Sequence, residues 1–250
     1  MAAVSYDSPE MLAAFSKQRG ITFPLLSDTG SATIKTFGIL NTAGQGAQAG
    51  IPHPGTFLLD RPGRVTSRFF EAAYTDRSTV SSMMVRLGTA APPVAATKIS
   101  SGQLDMTTFA SDEEVAPGNH FSLVVDVTPR PGMHVYAPGA TSYRVVSISV
   151  AAQPFVQLRP TVYPPSEIYF FEPLNERVPV YQKPFRLVQD ALLEATPEAQ
   201  KALQGRESLA LTGTVDYQAC DDKICYNPVS VPVSWTLKLK PLIRERPQVR

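Results

Sequence analysis

The spacing of hydrophobic positions changes character once along the chain, near residue 90. Before that point short apolar runs alternate with helical spacing. An apolar strand runs through Val4, and Ser8, Pro9 and Glu10 then mark a helix start, with Met11 and Phe15 on one face. A short strand is expected over 23–26, a short helix over 31–37 and a strand over 55–60. Arg61, Pro62 and Gly63 turn that strand into a second one over 65–70. A last helix follows, in which Val80, Met83, Met84 and Leu87 recur at i, i+3, i+4 and i+7 and predict one stripe laid against a sheet. The order β-α-β-α-β-β-α predicts an α/β domain over residues 1–88.

Residues 89–97, rich in alanine and proline, have the composition of a semi-rigid linker. Beyond them the period is two. Phe121, Leu123, Val125 and Val127 share a face, as do Val146, Ile148 and Val150. Val229, Val231, Val233, Trp235, Leu237 and Leu239 alternate with Ser230, Pro232, Ser234, Thr236, Lys238 and Lys240, the pattern of a half-buried strand. Pro232 predicts an edge or a bulge there, because proline offers no N–H to a ladder. One helix interrupts, with Thr196 as N-cap, Pro197 at its first position and Gly205 past its end. Repeated strands between turns over 98–240 predict an all-β, immunoglobulin-like sandwich, followed by a solvated tail over 241–250.

Composition narrows the functional classes. The 250 residues carry 23 basic and 22 acidic side chains, so no basic face for a phosphate backbone is expected and nucleic-acid binding is set aside. No apolar run approaches the ~20 residues that cross a bilayer. The first residues show no basic segment followed by a long apolar stretch, so they do not read as an export signal. His53, His120 and His134 are the three histidines, none at ligand spacing, and two cysteines alone make no zinc site; no metal or cofactor is expected. Gly44 to Gly50 departs from the dinucleotide fingerprint in its last spacing and reads as a loop.

The chemistry therefore falls on Cys220 and Cys225, separated by Asp221, Asp222, Lys223 and Ile224. The strand signal before them and the alternating strand after them predict a hairpin with the cysteines at its neck. Opposed residues of an antiparallel pair lie ~4.5 to 5.5 Å apart at Cα, within reach of a disulfide. A structural disulfide is the commoner fate of a cysteine pair in exported proteins, but closing so short a loop adds less than the ~3 kcal/mol expected for fifteen residues. Inert buried thiols fit poorly beside two aspartates and a lysine. Spacing alone leaves redox and structural roles equally open. Asp221 and Asp222 oppose thiolate formation and Lys223 favours it, with the net sign undetermined.

Two resemblances add to this. Val4-Ser5-Tyr6-Asp7, Phe23-Pro24-Leu25-Leu26-Ser27-Asp28 and Pro54-Gly55-Thr56-Phe57-Leu58-Leu59-Asp60 resemble the later segments of the redoxin (AhpC/TSA, peroxiredoxin-like) branch of the thioredoxin fold. The first domain is thus expected to be a partial thioredoxin-like domain, with Pro54 in the place of the family's cis-proline. The family's reactive cysteine belongs to an earlier strand-helix unit, and no cysteine precedes Cys220. A truncated start is expected on that ground, one that would also remove an export signal.

The run Tyr217-Gln218-Ala219-Cys220-Asp221-Asp222-Lys223-Ile224-Cys225-Tyr226-Asn227-Pro228 resembles the active-site hairpin of the amino-terminal domain of the DsbD thiol:disulfide interchange family. The turn Pro131-Gly132-Met133-His134-Val135-Tyr136 and the strand through Trp235 support it. The resemblance implies a thiol-disulfide oxidoreductase outside the cytoplasm, in the bacterial periplasm. It would pass electrons from a membrane-embedded donor to thiol/disulfide proteins, with Cys225 forming the mixed disulfide and Cys220 resolving it. Members cover the pair with an aromatic cap loop; Tyr169, Phe170 and Phe171, within 167–173, are the candidates, Phe170 or Phe171 foremost, with Tyr217 beside them. The alternatives are a docking protein with a structural disulfide and a fragment of a peroxiredoxin-like peroxidase.

Overall fold

A computed structural model describes residues 1–43, 51–71, 73–90, 96–171 and 175–241. The glycine-rich segment 44–50, most of the expected linker (91–95), the end of the expected cap (172–174) and nearly all of the tail (242–250) lie outside the described residues. The chain divides into two compact units, Met1–Arg77 and Ser78–Pro241.

The first unit follows the expected order: β1 (Ala3–Ser5), α1 (Pro9–Arg19), β2 (Leu25–Ser27), α2 (Ala32–Thr36), β3 (Gly55–Leu59) and β4 (Val65–Phe70). Helix α1 starts as its sequence dictates. The Ser8 hydroxyl accepts the Met11 N–H, Pro9 opens the first turn, and Gly20 closes the helix in the left-handed region. Its buried side chain is Leu12, whereas Met11 is exposed. The Asp28 carboxylate caps α2 by accepting the N–H groups of Ala32 and Ile34. β1 and β2 pair in parallel around α1, and β3 and β4 form a hairpin with Phe57 packed between Phe37 and Phe70. Among the described residues the two strand pairs remain separate sheets. A thioredoxin-like domain has one continuous sheet, so this unit matches that fold only in part. The peptide before Pro54 is trans, contrary to the cis form expected there. Trans is the default for X–Pro by ~0.5 to 1 kcal/mol, and only a surrounding structure that enforces cis overturns it.

The second unit holds β5 (Arg77–Ser78, shared with the first), α3 (Val80–Arg86), β6 (Thr97–Ser100), β7 (Leu104–Ala110), β8 (Glu114–Val115) and β9 (Asn119–Pro129). Then follow β10 (His134–Tyr136), β11 (Ser147–Val150), β12 (Val156–Leu158), β13 (Glu167–Phe171), β14 (Glu176–Tyr181) and β15 (Phe185–Leu193). It ends with α4 (Pro197–Leu203), β16 (Ser208–Tyr217), β17 (Ala219–Cys220) and β18 (Val229–Leu239). One sheet runs β12-β15-β9-β7-β6 and a second β11-β16-β18-β8. Between them lies the main core. Phe121, Leu123, Val125 and Val127 of β9 face Leu211, Val215, Val233, Trp235 and Leu237, all nearly or fully buried. The alternation in β9 and β18 thus places its apolar face inside a sandwich. Strand β8 pairs with β18 only at Lys238 and Leu239, which leaves an open edge at Pro232.

The outer face of β9 is also covered, since Val124 packs with Phe109, Val188 and Val85 of α3. Helix α3 therefore belongs to the second unit and buries Ser82 and Val85, while Val80, Met84 and Leu87 of the expected stripe are exposed. Burial of Ser82 is possible because its hydroxyl donates to the Thr79 carbonyl one turn back.

Candidate functional site

Strands β16 and β18 form the long hairpin read from the sequence, paired from Ser208↔Lys238 to Tyr217↔Val229. The segment 218–228 leaves that ladder. Its first residues form β17, which pairs with β10 through His134↔Cys220 and Val135↔Ala219 and so completes a third sheet, β13-β14-β10-β17. Gln218 anchors the departure point by accepting the Arg144 N–H on Oε1 and donating from Nε2 to the Tyr226 carbonyl.

At the tip Cys220 and Cys225 oppose each other in an antiparallel bridge and form a disulfide, with Cα atoms 4.0 Å apart. The intervening turn is fixed from inside. The Asp221 carboxylate accepts the N–H groups of Lys223 and Ile224 at 2.8 and 2.7 Å, and its other oxygen accepts the Tyr226 hydroxyl at 3.1 Å. Donors from Ile224, then Lys223, hold the Asp221 carboxyl below the usual range. The two residues are not equivalent: Cys220 is 1% exposed, whereas Cys225 is exposed beside Ile224 and Lys223.

Around Cys220 the third sheet gathers Tyr136, Val178 and Val180, with Tyr143, Tyr169 and Ala140 packed against them. The Tyr136 hydroxyl reaches Cys220 Sγ at 3.0 Å and Cys225 Sγ at 3.4 Å. Its ring stacks on Tyr143 with centroids 3.9 Å apart, and the Tyr143 hydroxyl donates to Glu176 Oε2 at 2.6 Å. Burial above all, with the Tyr143 hydroxyl and the Glu176 carboxylate adding, pushes the Tyr136 phenol far up, so it stays protonated and available as a donor. The Glu176 hydrogen bond likewise raises Tyr143. The His134 ring packs on Tyr169 at 4.5 Å; burial lowers its pKa against the opposing pull of Asp221.

The sequence-derived site residues divide accordingly. Cys220 and Cys225 are joined. Tyr169 lies on the cluster side of β13, while Ile168 and Phe170 point to its other face, where Phe170 is exposed beneath the Arg177 guanidinium at 5.1 Å. Phe170 is therefore not the ring next to the disulfide. Phe171, half-buried and paired with Glu176, follows the parity of Tyr169. Tyr217 is not a cap residue either. It is fully buried in the sandwich core, with its hydroxyl bonded to Ser101 Oγ and Gln103 Oε1. Tyr136, Tyr143, His134 and Glu176 were missed as site residues. The signal that could have found the first two is the tyrosine of the Pro131–Gly132 turn segment and a second tyrosine seven residues on.

The amino-terminal family of the thiol:disulfide interchange protein DsbD matches residues 106–234, more than half of the chain and the whole cysteine segment. The chain belongs to this family. Residues 1–68 match the AhpC/TSA family. No curated protein matches the chain. Solved structures that resemble it include the N-terminal periplasmic domain of ScsB from Proteus mirabilis, at 11% identity and a TM-score of 0.37, covering 57% of this chain and 49% of that one. Another is the reduced Neisseria meningitidis DsbD n-terminal domain, at 14% identity and a TM-score of 0.32, covering 47% and 81%. The SrpA adhesin of Streptococcus sanguinis is a third, at 13% identity and 0.29, covering 57% and 59%. The chain thus spans about half the length of the ScsB domain. Membership in the DsbD N-terminal family, with the AhpC/TSA match, ties the Cys220–Cys225 disulfide to thiol-disulfide redox involvement. Among the described residues no helix is long and apolar enough to cross a membrane, and no group of three metal-ligating side chains occurs.

Proposed function

We propose that the chain exchanges disulfides with partner thiol proteins outside the cytoplasm, with Cys225 as the sulfur that partners reach and Cys220 as the resolving sulfur. The observation that carries this reading is the unequal exposure of one bonded pair. Exchange requires a thiolate to approach one sulfur along the bond axis. Cys225 is an exposed residue, and Cys220 is enclosed by the third sheet. In one direction a partner thiolate attacks Cys225, the bond to Cys220 breaks, and the Cys220 sulfur leaves with the electron pair. A second partner thiol then resolves the mixed disulfide, completing a two-electron reduction. Run in reverse, the reduced pair delivers those electrons to an oxidised partner. A membrane-embedded donor and periplasmic acceptors fit the family. The first unit has no cysteine and supplies no thiol to this chemistry.

The test uses single-cysteine variants and glutathione disulfide. Cys220→Ala is expected to form a stable mixed disulfide at Cys225 under native conditions, while Cys225→Ala leaves a thiol that reacts only on unfolding. Equal reactivity of the two variants, together with a wild-type disulfide that resists dithiothreitol until the protein unfolds, would make the bond structural and overturn the proposal.

A further inference from the structure

Among the described residues, one polar group outside the cysteines touches both reacting atoms, and it comes from a different strand. Tyr136 lies on β10, its ring is clamped against Tyr143, and its hydroxyl sits between the sulfurs, nearer to Cys220. The proton of Tyr143 is engaged by Glu176, so that hydroxyl is not a donor to the site. The Tyr143 oxygen is left to accept from Tyr136, so the Tyr136 proton is shared between that oxygen and the sulfurs and can shift toward sulfur as charge develops there.

We propose that Tyr136 is a catalytic residue of the exchange, its hydroxyl donating a hydrogen bond to the Cys220 sulfur as that sulfur leaves; this rests on the exchange role assigned above to the cysteine pair. A disulfide sulfur is neutral and accepts weakly. When a dithiol's thiolate bonds to Cys225 Sγ, the Cys220–Cys225 bond breaks and its electron pair resides on Cys220 Sγ, which is enclosed and cut off from water. The hydrogen bond from Tyr136 then becomes charge-assisted, roughly twice as strong as a neutral one. An interaction that strengthens only as charge develops speeds the step without tightening the ground state. The dithiol's second sulfur then displaces Cys225, which leaves as thiolate, and both thiolates take protons from solvent according to their pKa. The charged groups that also bear on this site are Asp221, Asp222 and Lys223 of the turn, His134 of β10 and Glu176 of β14. A tyrosine-to-phenylalanine change alters none of them.

Tyr136→Phe keeps the ring and its stack on Tyr143 and deletes only the hydroxyl. Reduction of the oxidised protein by dithiothreitol under native conditions is expected to slow about 10- to 100-fold, the range for losing a hydrogen bond to a charged group. The thiolate absorbance of the reduced protein should also titrate at higher pH than in wild type. Tyr181→Phe removes another buried tyrosine hydroxyl, one that donates to the Pro164 carbonyl at 2.8 Å, and is expected to leave rate and titration unchanged. Wild-type rate and titration in Tyr136→Phe would overturn the role of Tyr136 alone, as would a slower rate with an unmoved titration, which marks a packing effect. If the folded wild type is not reduced at all, the exchange reading of the pair fails first, and this inference falls with it.

Discussion

The most informative contrast in the molecule is between two atoms bonded to each other. Cys220 is held in a strand and surrounded by apolar and aromatic side chains, and Cys225 is at the open end of the same turn. The pairing of β17 with β10 places Cys220, and one carboxylate fixes the turn that leads to Cys225. Asp221 folds the intervening residues back by accepting two backbone N–H groups, and it ties the turn to Tyr226. Those bonds require the ionised form, so the Asp221 carboxyl is held below its value in an unfolded chain. The stabilisation is therefore fully present above the ordinary aspartate range and is lost as pH falls through the depressed folded value. Comparing wild type with Asp221→Ala, the difference in thermal midpoint should be constant through neutral pH and shrink toward zero in acid. A difference that persists unchanged in acid would mean that the turn does not depend on this charge. Asp221 also bears on His134 across the β10–β17 pairing, so the same variant should lower the pH at which that imidazole titrates, as followed by NMR.

At the scale of elements, local chemistry was legible and long-range pairing was not. The starts of α1 and α4 follow from Ser8–Pro9 and Thr196–Pro197, because a cap and a proline act within one turn. The faces of β9 and β18 follow from alternation alone. The site's third sheet was hidden, since β10, the β13–β14 hairpin and β17 come from segments that are far apart in sequence and each too short to show a period. Hence the cysteine pair and Tyr169 were visible, and Tyr136 and Tyr143 were not. Tyr217, one position from the departure of 218–228, was misplaced for the same reason: the ladder holds it in the core until the segment turns away. The face of α3 was misread because three of the four apolar side chains of the expected stripe point outward, while Ser82 and Val85 are buried. The close approach of β11 to β16 gives a sharper test of the element level. A Cβ on Gly213 would run into the Ser149 carbonyl oxygen and stand 3.1 Å from the Val150 Cα, both backbone atoms that cannot swing aside. Gly213→Ala is therefore expected to destabilise the second unit by about 1 to 3 kcal/mol, the usual range for overpacking. Urea unfolding at an unchanged m-value measures it, and a wild-type midpoint would show that the two strands separate freely.

On the scale of the whole chain, composition and period place the change from α/β to β near residue 90, whereas compactness divides the chain between Arg77 and Ser78. The difference is helix α3. Sequence order attaches it to the preceding strands, but its packing attaches it to β9, where Val85 closes a patch made by Phe109, Val124 and Val188. The connection is reinforced at both ends of the helix. Thr79 Oγ1 donates to Asp112 at 2.8 Å, and Arg186, paired with Asp126, donates to the Ala90 carbonyl at 2.7 Å. A fragment over residues 78–241 is therefore expected to fold and to retain the disulfide and its rate of reduction by dithiothreitol. One over residues 98–240 lacks the helix. It uncovers apolar side chains that water otherwise does not reach, at about 1.5 to 3 kcal/mol for a valine-sized side chain alone. Its urea midpoint should fall accordingly, and it should bind a hydrophobic dye that the longer fragment does not. Equal stability of the two fragments would assign α3 to the first unit and restore the boundary that the change of period suggests. Because the patch lies on the opposite face of the β9 sheet from the main core, the shorter fragment should still reduce at the rate of the longer one wherever it remains folded, which separates the loss of α3 from damage to the cysteine site.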